Sequence, residues 1–260
     1  MSMMKLGTGV ALVLLVHGSA CLRPAQERAL SDLEVGIGAV DGLAVATPSA
    51  HIRALSGSRL DLWANHPVVE IELTAATAGP LRLSLDNCMP EAQAAVLAGA
   101  VSVTDVPMEQ PTRCVFDIDL PLGESVIRIA PDDFDLASRF RFAVMGDIQT
   151  GLGEVGDVFE AIAAHPGVRF VVSTGDLVED ARVDEYERLT ESFSSLPVPY
   201  YSTIGNHELR ADPDRWSERF GRFNIHFEFK DVSFSFVDSG SASLDPVVYD
   251  WLDGWLDEAD

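Results

Sequence analysis

Five side chains suited to metal and phosphate chemistry stand just past three apolar runs. They are Asp147 and Gln149 in Gly146-Asp147-Ile148-Gln149, Asp176 in Gly175-Asp176, and Asn206 and His207 in Gly205-Asn206-His207-Glu208. Two carboxylates, two amides and an imidazole are ligand types for hard and borderline divalent cations. A lone Asp at the end of an apolar run is commonly a turn or helix-capping residue, so each tip alone says little. Together they form a pattern: Asp147, Asp176 and Asn206 follow one another at about 30-residue intervals, the length of one strand–helix–strand unit.

The elements around these tips must bring them together. FRFAVMG (140–146), VRFVVSTG (168–175) and VPYYSTIG (198–205) read as strands, and 154–165 and 183–196 as helices. Strands alternating with helices predict an α/β region with a largely parallel sheet, whose carboxyl ends put all three tips on one edge. VSFSFVDSG (232–240) adds a strand. Residues 245–260 add a helix with an apolar face of Val247, Val248, Trp251, Leu252, Trp255 and Leu256. Upstream the grammar differs. VVEIEL (68–73), LRLSL (81–85), CVFDIDL (114–120) and SVIRIA (125–130) alternate between turn signals, as in a small β-sandwich. Residues 22–60 carry no clear pattern. Residues 131–139 read as a linker between an all-β domain over 21–130 and the chemistry-bearing domain over 140–260.

GDIQ, GD and GNHE, in that order and each after an apolar strand, resemble the calcineurin-like metallophosphoesterases over residues 140–260. The resemblance implies an α/β fold, a metallophosphoesterase-like sheet sandwich flanked by helices, here truncated and preceded by the small all-β domain. It implies two divalent metal ions, manganese foremost, with iron, zinc, magnesium or calcium as alternatives. Asp147 and Gln149 would ligate the first ion, Asp176 would bridge both, and Asn206 would ligate the second. His207 would be the catalytic side chain, contacting the substrate phosphate or protonating the leaving group. A hydroxide held between the ions would attack phosphorus in line. Glu208 and Asp238 would stand behind the ligands. Glu208 would orient His207 or cap a helix. Asp238, ending FSFVD, resembles the family's aspartate at a neighbouring strand end and reads equally well as a turn or cap residue.

Two departures from the family pattern matter. The family usually has His where this chain has Gln149, and an amide oxygen shifts preference toward manganese, magnesium or calcium with lower affinity. After His207 the only histidine is His226, in the strand-like stretch FNIHFEF, and it reads as a structural or surface residue. The family's later Gly-His-x-His segment has no counterpart. Asp257-Glu258-Ala259-Asp260 ends a helix with acids that oppose its dipole and with no Gly cap, so the sequence reads as cut short, with the remaining ligands expected downstream. The implied function is metal-dependent hydrolysis of a small phosphate mono- or diester. The alternative is a truncated or degenerate member that acts as a binding module.

Composition sets bounds on partners. A net charge of -23 argues against a nucleic-acid groove, which needs a positive field. Residues 1–20 read as a signal peptide: Lys5, an apolar run from Leu6 to Val16 too short to span a bilayer, then small residues. Gly18-Ser19-Ala20-Cys21 resembles a bacterial lipoprotein cleavage box, with Cys21 as the lipidated residue. The protein is then expected to be exported, as a cell-envelope lipoprotein or otherwise a periplasmic or secreted protein, touching membrane only through that anchor. Cys88 and Cys114 remain as a disulfide pair that would stabilise the fold by about 3 kcal/mol, with two buried free thiols as the alternative. GLGEVG (151–156) matches a dinucleotide fingerprint but starts too far past the strand end. No G-x-S-x-G elbow is present. His51, His66 and His165 read as isolated packing or surface residues, and Trp216 and Phe220 as core.

Overall fold

The computed structural model describes residues 24–259. The expected signal peptide and the expected lipidation box at Cys21 lie outside the described residues. The unpatterned stretch after them holds helix α1 (Pro24–Ser31) and strands β1 (Ile37–Val40), β2 (Leu43–Ala46), β3 (Ala50–Ser56) and β4 (Arg59–Ala64). Then come β5 (Val69–Ala75), β6 (Gly79–Asp86), β7 (Gln93–Ala98), β8 (Ser102–Asp105), β9 (Arg113–Leu120) and β10 (Gly123–Ala130). These strands form two five-stranded sheets, ordered β1-β2-β5-β10-β7 and β3-β4-β6-β9-β8. Alternation decides which side chains meet between them. Val69, Ile71 and Leu73 of the first sheet share one apolar core with Leu81, Leu83 and Leu85 of the second. Beside that core Cys88 and Cys114 form a disulfide with Cα atoms 6.3 Å apart.

The second half runs β11 (Arg141–Met145), α2 (Val155–Ala163), β12 (Val168–Ser173), α3 (Val183–Ser192), β13 (Tyr200–Ser202), α4 (Asp214–Phe220), β14 (Ile225–Phe229), β15 (Val232–Phe236) and α5 (Pro246–Glu258). Strands β11, β12 and β13 pair in parallel, in that order. The two faces of this sheet bury different things. Val171 and Tyr200 pack with Phe159 of α2 and with Tyr186 and Leu189 of α3. Phe170, Val172 and Tyr201 pack with Phe227 and Phe229 of the β14–β15 hairpin. Helices therefore cover one face and a second sheet the other, the sheet sandwich expected from the sequence. Trp216 and Phe220 lie in the helix-side core, as expected. Of the apolar face of α5 only Val248 is fully buried, and Leu256 is 57% exposed.

The two halves interlock. Trp63 of β4 sits in the helix-side core, with ring centroids 5.6 Å from Phe220. The Asn87 amide behaves as a backbone unit beside β13: its Oδ1 accepts from Tyr200 N at 2.7 Å and its Nδ2 donates to Tyr200 O at 3.0 Å. The segment read as a linker is fastened too. Arg169 donates two hydrogen bonds to Asp133, at 2.6 and 2.9 Å, and Lys230 Nζ donates to Asp133 at 2.6 Å. Among the described residues no helix is long and apolar enough to cross a membrane.

Candidate metal centre

The parallel order β11-β12-β13 places the three tips side by side, and backbone bonds tie them together. Asp147 N donates to Gly175 O and Gln149 N donates to Asp176 O, each at 3.2 Å. Asp147, Gln149 and Asp176 have φ of 56°, 39° and 57°. Left-handed backbone at three non-glycine residues is strained, and such strain gathers at functional sites. Here it turns Asp147 and Gln149 out of the sheet while Ile148 between them stays buried. Gly175 and Gly205 let the second and third tips meet. Gly175 has φ of 90°, and a Cβ there would strike the Gly205 backbone, while one on Gly205 would strike the Asp176 carboxylate.

Three of these side chains, Asp147, Gln149 and Asp176, meet with the Gln149 amide at the centre. Its Nε2 donates to Asp176 Oδ2 at 3.1 Å and lies 3.4 Å from Asp147 Oδ1. Two carboxylates from different strand ends thus face one donor. Asp176 Oδ1 accepts from His207 N at 2.8 Å, which locks the third tip to the second. Asp147 and Asn206 are exposed, and Asp176 and Gln149 are half-buried. For Gln149 to act as a ligand its amide must turn over and present Oε1 to the carboxylates' side.

One expected role is corrected. Glu208 neither orients the His207 ring nor caps a helix. It is fully buried, and its carboxylate accepts from the N–H groups of Asp176 (3.0 Å), Leu177 (2.7 Å), Val178 (3.1 Å) and Gly205 (2.7 Å). Burial pushes its carboxyl above the ordinary value, and these four donors pull it back. Glu208 is the pin that holds the second and third tips at one spacing. The His207 ring is oriented instead by Glu179 and Arg210, which the sequence did not flag. His207 Nδ1 donates to Glu179 O at 2.8 Å, and Arg210 Nη2 stands 3.1 Å from His207 Nε2. A guanidinium only donates, so in this contact Nε2 is the accepting side of the ring. The proximity of Arg210 to His207 in sequence, three residues on within a 3-10 turn, was the available signal.

Asp238 is buried, accepting from Arg28 Nε at 2.6 Å and from Gly240 N at 3.0 Å. His226 is structural as read: Nδ1 lies 3.0 Å from Ser235 Oγ, and its ring stacks on Trp255 with centroids 5.0 Å apart. GLGEVG spans a 3-10 turn (Gln149–Gly153) and the start of α2, not the start of a helix directly after β11. A cavity of about 350 Å³, lined by Ser173, Thr174, Thr203, Phe234 and Phe236, opens behind the tips. Another of about 210 Å³, lined by Arg53, Trp63, Asp86 and Arg113, lies at the seam with the β-sheets, among none of the five tip residues.

Comparison with known proteins agrees with the motifs. Residues 140–254 match the family model described as calcineurin-like phosphoesterase. No curated protein matches the sequence. The structure of a purple acid phosphatase from yellow lupin (Lupinus luteus) seeds is similar at TM-score 0.43 and 11% identity, over 75% of this chain and 46% of that one. The chain thus spans less than half the length of that phosphatase.

Proposed function

We propose that the edge formed by the three tips holds a divalent cation and that the protein acts in metal-dependent hydrolysis of a small phosphate ester. The observation that carries this reading is the meeting of Asp147 and Asp176, from separate strand ends, on either side of the Gln149 amide. With Asn206 they make an all-oxygen donor set once Gln149 turns over. That set fits manganese, magnesium or calcium better than the softer metals. Among the described residues no three His, Cys, Asp or Glu side chains group as a metal site. One cation is therefore matched to Asp147, Gln149, Asp176 and Asn206, and the second ion of a dinuclear centre needs further donors.

A bound cation would polarise a phosphoryl oxygen. The chain's own residues do the rest. Asp147 and Asp176 present carboxylates at the strand ends, and Glu208 holds the Asp176 and Asn206 loops at a fixed spacing. His207 positions the Arg210 guanidinium, which has N–H groups to offer an anionic ester oxygen. The disulfide between Cys88 and Cys114 supports an oxidising compartment, in line with export and with lipid at Cys21. In this proposal the all-β domain over 21–130 supports the phosphoesterase domain over 140–260. The test is hydrolysis of p-nitrophenyl phosphate and bis-p-nitrophenyl phosphate with added manganese. Activity lost in Asp176→Asn is expected. A folded chain that binds manganese but hydrolyses neither ester would favour the binding-module alternative, which the exposed, incompletely liganded edge also fits.

A further inference from the structure

Helix α1 reaches the site from outside the family segment. Arg28 is 5% exposed and Asp238 3% exposed, and Arg28 Nε donates to Asp238 Oδ2 at 2.6 Å across 210 positions of sequence. Arg28 Nη2 donates to Ser241 Oγ at 2.9 Å. Just past the helix, buried Asp32 accepts from Phe223 N, Asn224 N and Asn224 Nδ2 at 2.8 to 2.9 Å. Asn224 Oδ1 in turn accepts from Asp238 N at 2.8 Å. Asp238 is thus held on its side chain by Arg28 and on its backbone by Asn224. Its other oxygen, Oδ1, accepts from Gly240 N. Gly240 packs directly on the third tip: a Cβ there would lie 3.0 Å from Gly205 O and 3.1 Å from Leu209 Cδ1. Gly205 is the residue before Asn206.

We propose that Arg28 is a positioning residue for the cation site. It fixes Asp238, Asp238 fixes Gly240, and Gly240 sets where the Gly205-Asn206 backbone stands and hence where the Asn206 amide points. This rests on the reading that the strand-end edge holds a divalent cation. The chemistry of the pair suits placement more than stability. A buried ion pair adds little over apolar side chains of the same size, yet losing one partner leaves a stranded charge. Arginine's planar fork reaches Asp238 and Ser241 at once, which a lysine ammonium cannot do from the same stem. The competing explanation is that Arg28 merely docks α1. Docking alone predicts a lower melting temperature with unchanged metal affinity wherever the protein is fully folded.

The experiment measures Mn2+ affinity by electron paramagnetic resonance, well below the melting midpoint, on the full chain and on Arg28→Lys. A double variant, Arg28→Met with Asp238→Leu, removes both charges and strands neither, so it guards against simple misfolding. Amide resonances of Gly205 and Asn206 are recorded without metal on the same samples. The expected result is a loss of affinity of about tenfold or more, the usual effect of removing a group that orients a ligand. Shifted Gly205 and Asn206 resonances should accompany it, with circular dichroism unchanged. Wild-type affinity in the folded double variant, or unshifted resonances in Arg28→Lys, overturns the positioning role and leaves the cation site standing. A wild-type chain that binds no Mn2+ overturns both.

Discussion

A carboxylate as deeply buried as that of Glu208 is tolerable only because four backbone N–H groups point at it. Those donors belong to two separate loops, so one side chain fixes the spacing between Asp176 and Asn206. Glu208→Gln turns an amide N–H toward donors that need an acceptor, and should cost about 2–4 kcal/mol in urea unfolding. A cost under about 0.5 kcal/mol, the range of an ordinary surface change, would show that the pin is not needed. The tips themselves were legible in the sequence, because Asp147, Gln149, Asp176, Asn206 and His207 all follow apolar runs. The partners were not. Nothing local announces that Glu208 accepts from residues 176–178, or that the Glu179 carbonyl accepts from His207 Nδ1. Those contacts exist only once parallel pairing has set the loops side by side.

At the level of elements, the alternation of strands and helices after residue 140 was readable because each strand is a continuous apolar run and each helix has one apolar stripe. Strand β13 shrank to Tyr200–Ser202, since only the middle of 198–205 pairs with β12. Helix α4 and strands β1 to β4 were missed. They are four to seven residues long, too short for a period to show. The segment 131–139 looked like a linker for its acids and its Pro, but those acids are attachment points. Arg169 above all, then Lys230, holds the Asp133 carboxyl well below the usual carboxylate range. A lowered carboxyl contributes stability above its unfolded value of 3.8 and loses it as pH falls below that value. Asp133→Asn should therefore cost about 1–2 kcal/mol at neutral pH, by loss of charge-assisted bonds. The gap between variant and wild type should begin to narrow as pH is lowered from 3.8 toward about 3. Urea midpoints at the two pH values decide it, and an undiminished gap at the lower pH would contradict the assignment.

For the whole molecule, the β-sheets and the phosphoesterase segment share more than a chain. Trp63 lies in the core of the second half, Asn87 pairs with Tyr200, and Arg28 binds Asp238. These ties were invisible in the sequence because each spans over 100 residues. They make the β-region part of the scaffold that carries the site. Reduction of the Cys88–Cys114 bridge, which closes a loop between residues 26 apart, should lower stability by about 3 kcal/mol. Because of the shared core, the loss should appear in one unfolding transition that both halves follow. Fluorescence from Trp63 and Trp216 set against far-ultraviolet circular dichroism checks this, and two separated transitions would mean that the halves fold apart.

The central claim is that the strand ends of β11, β12 and β13 present a cation site. Its most direct test is Mn2+ binding to the purified full chain, by calorimetry and elemental analysis, beside Asp176→Asn. The account predicts binding in the wild type that Asp176→Asn abolishes while the variant stays folded. A wild type that holds no Mn2+, or an Asp176→Asn variant that binds it equally well, would contradict it.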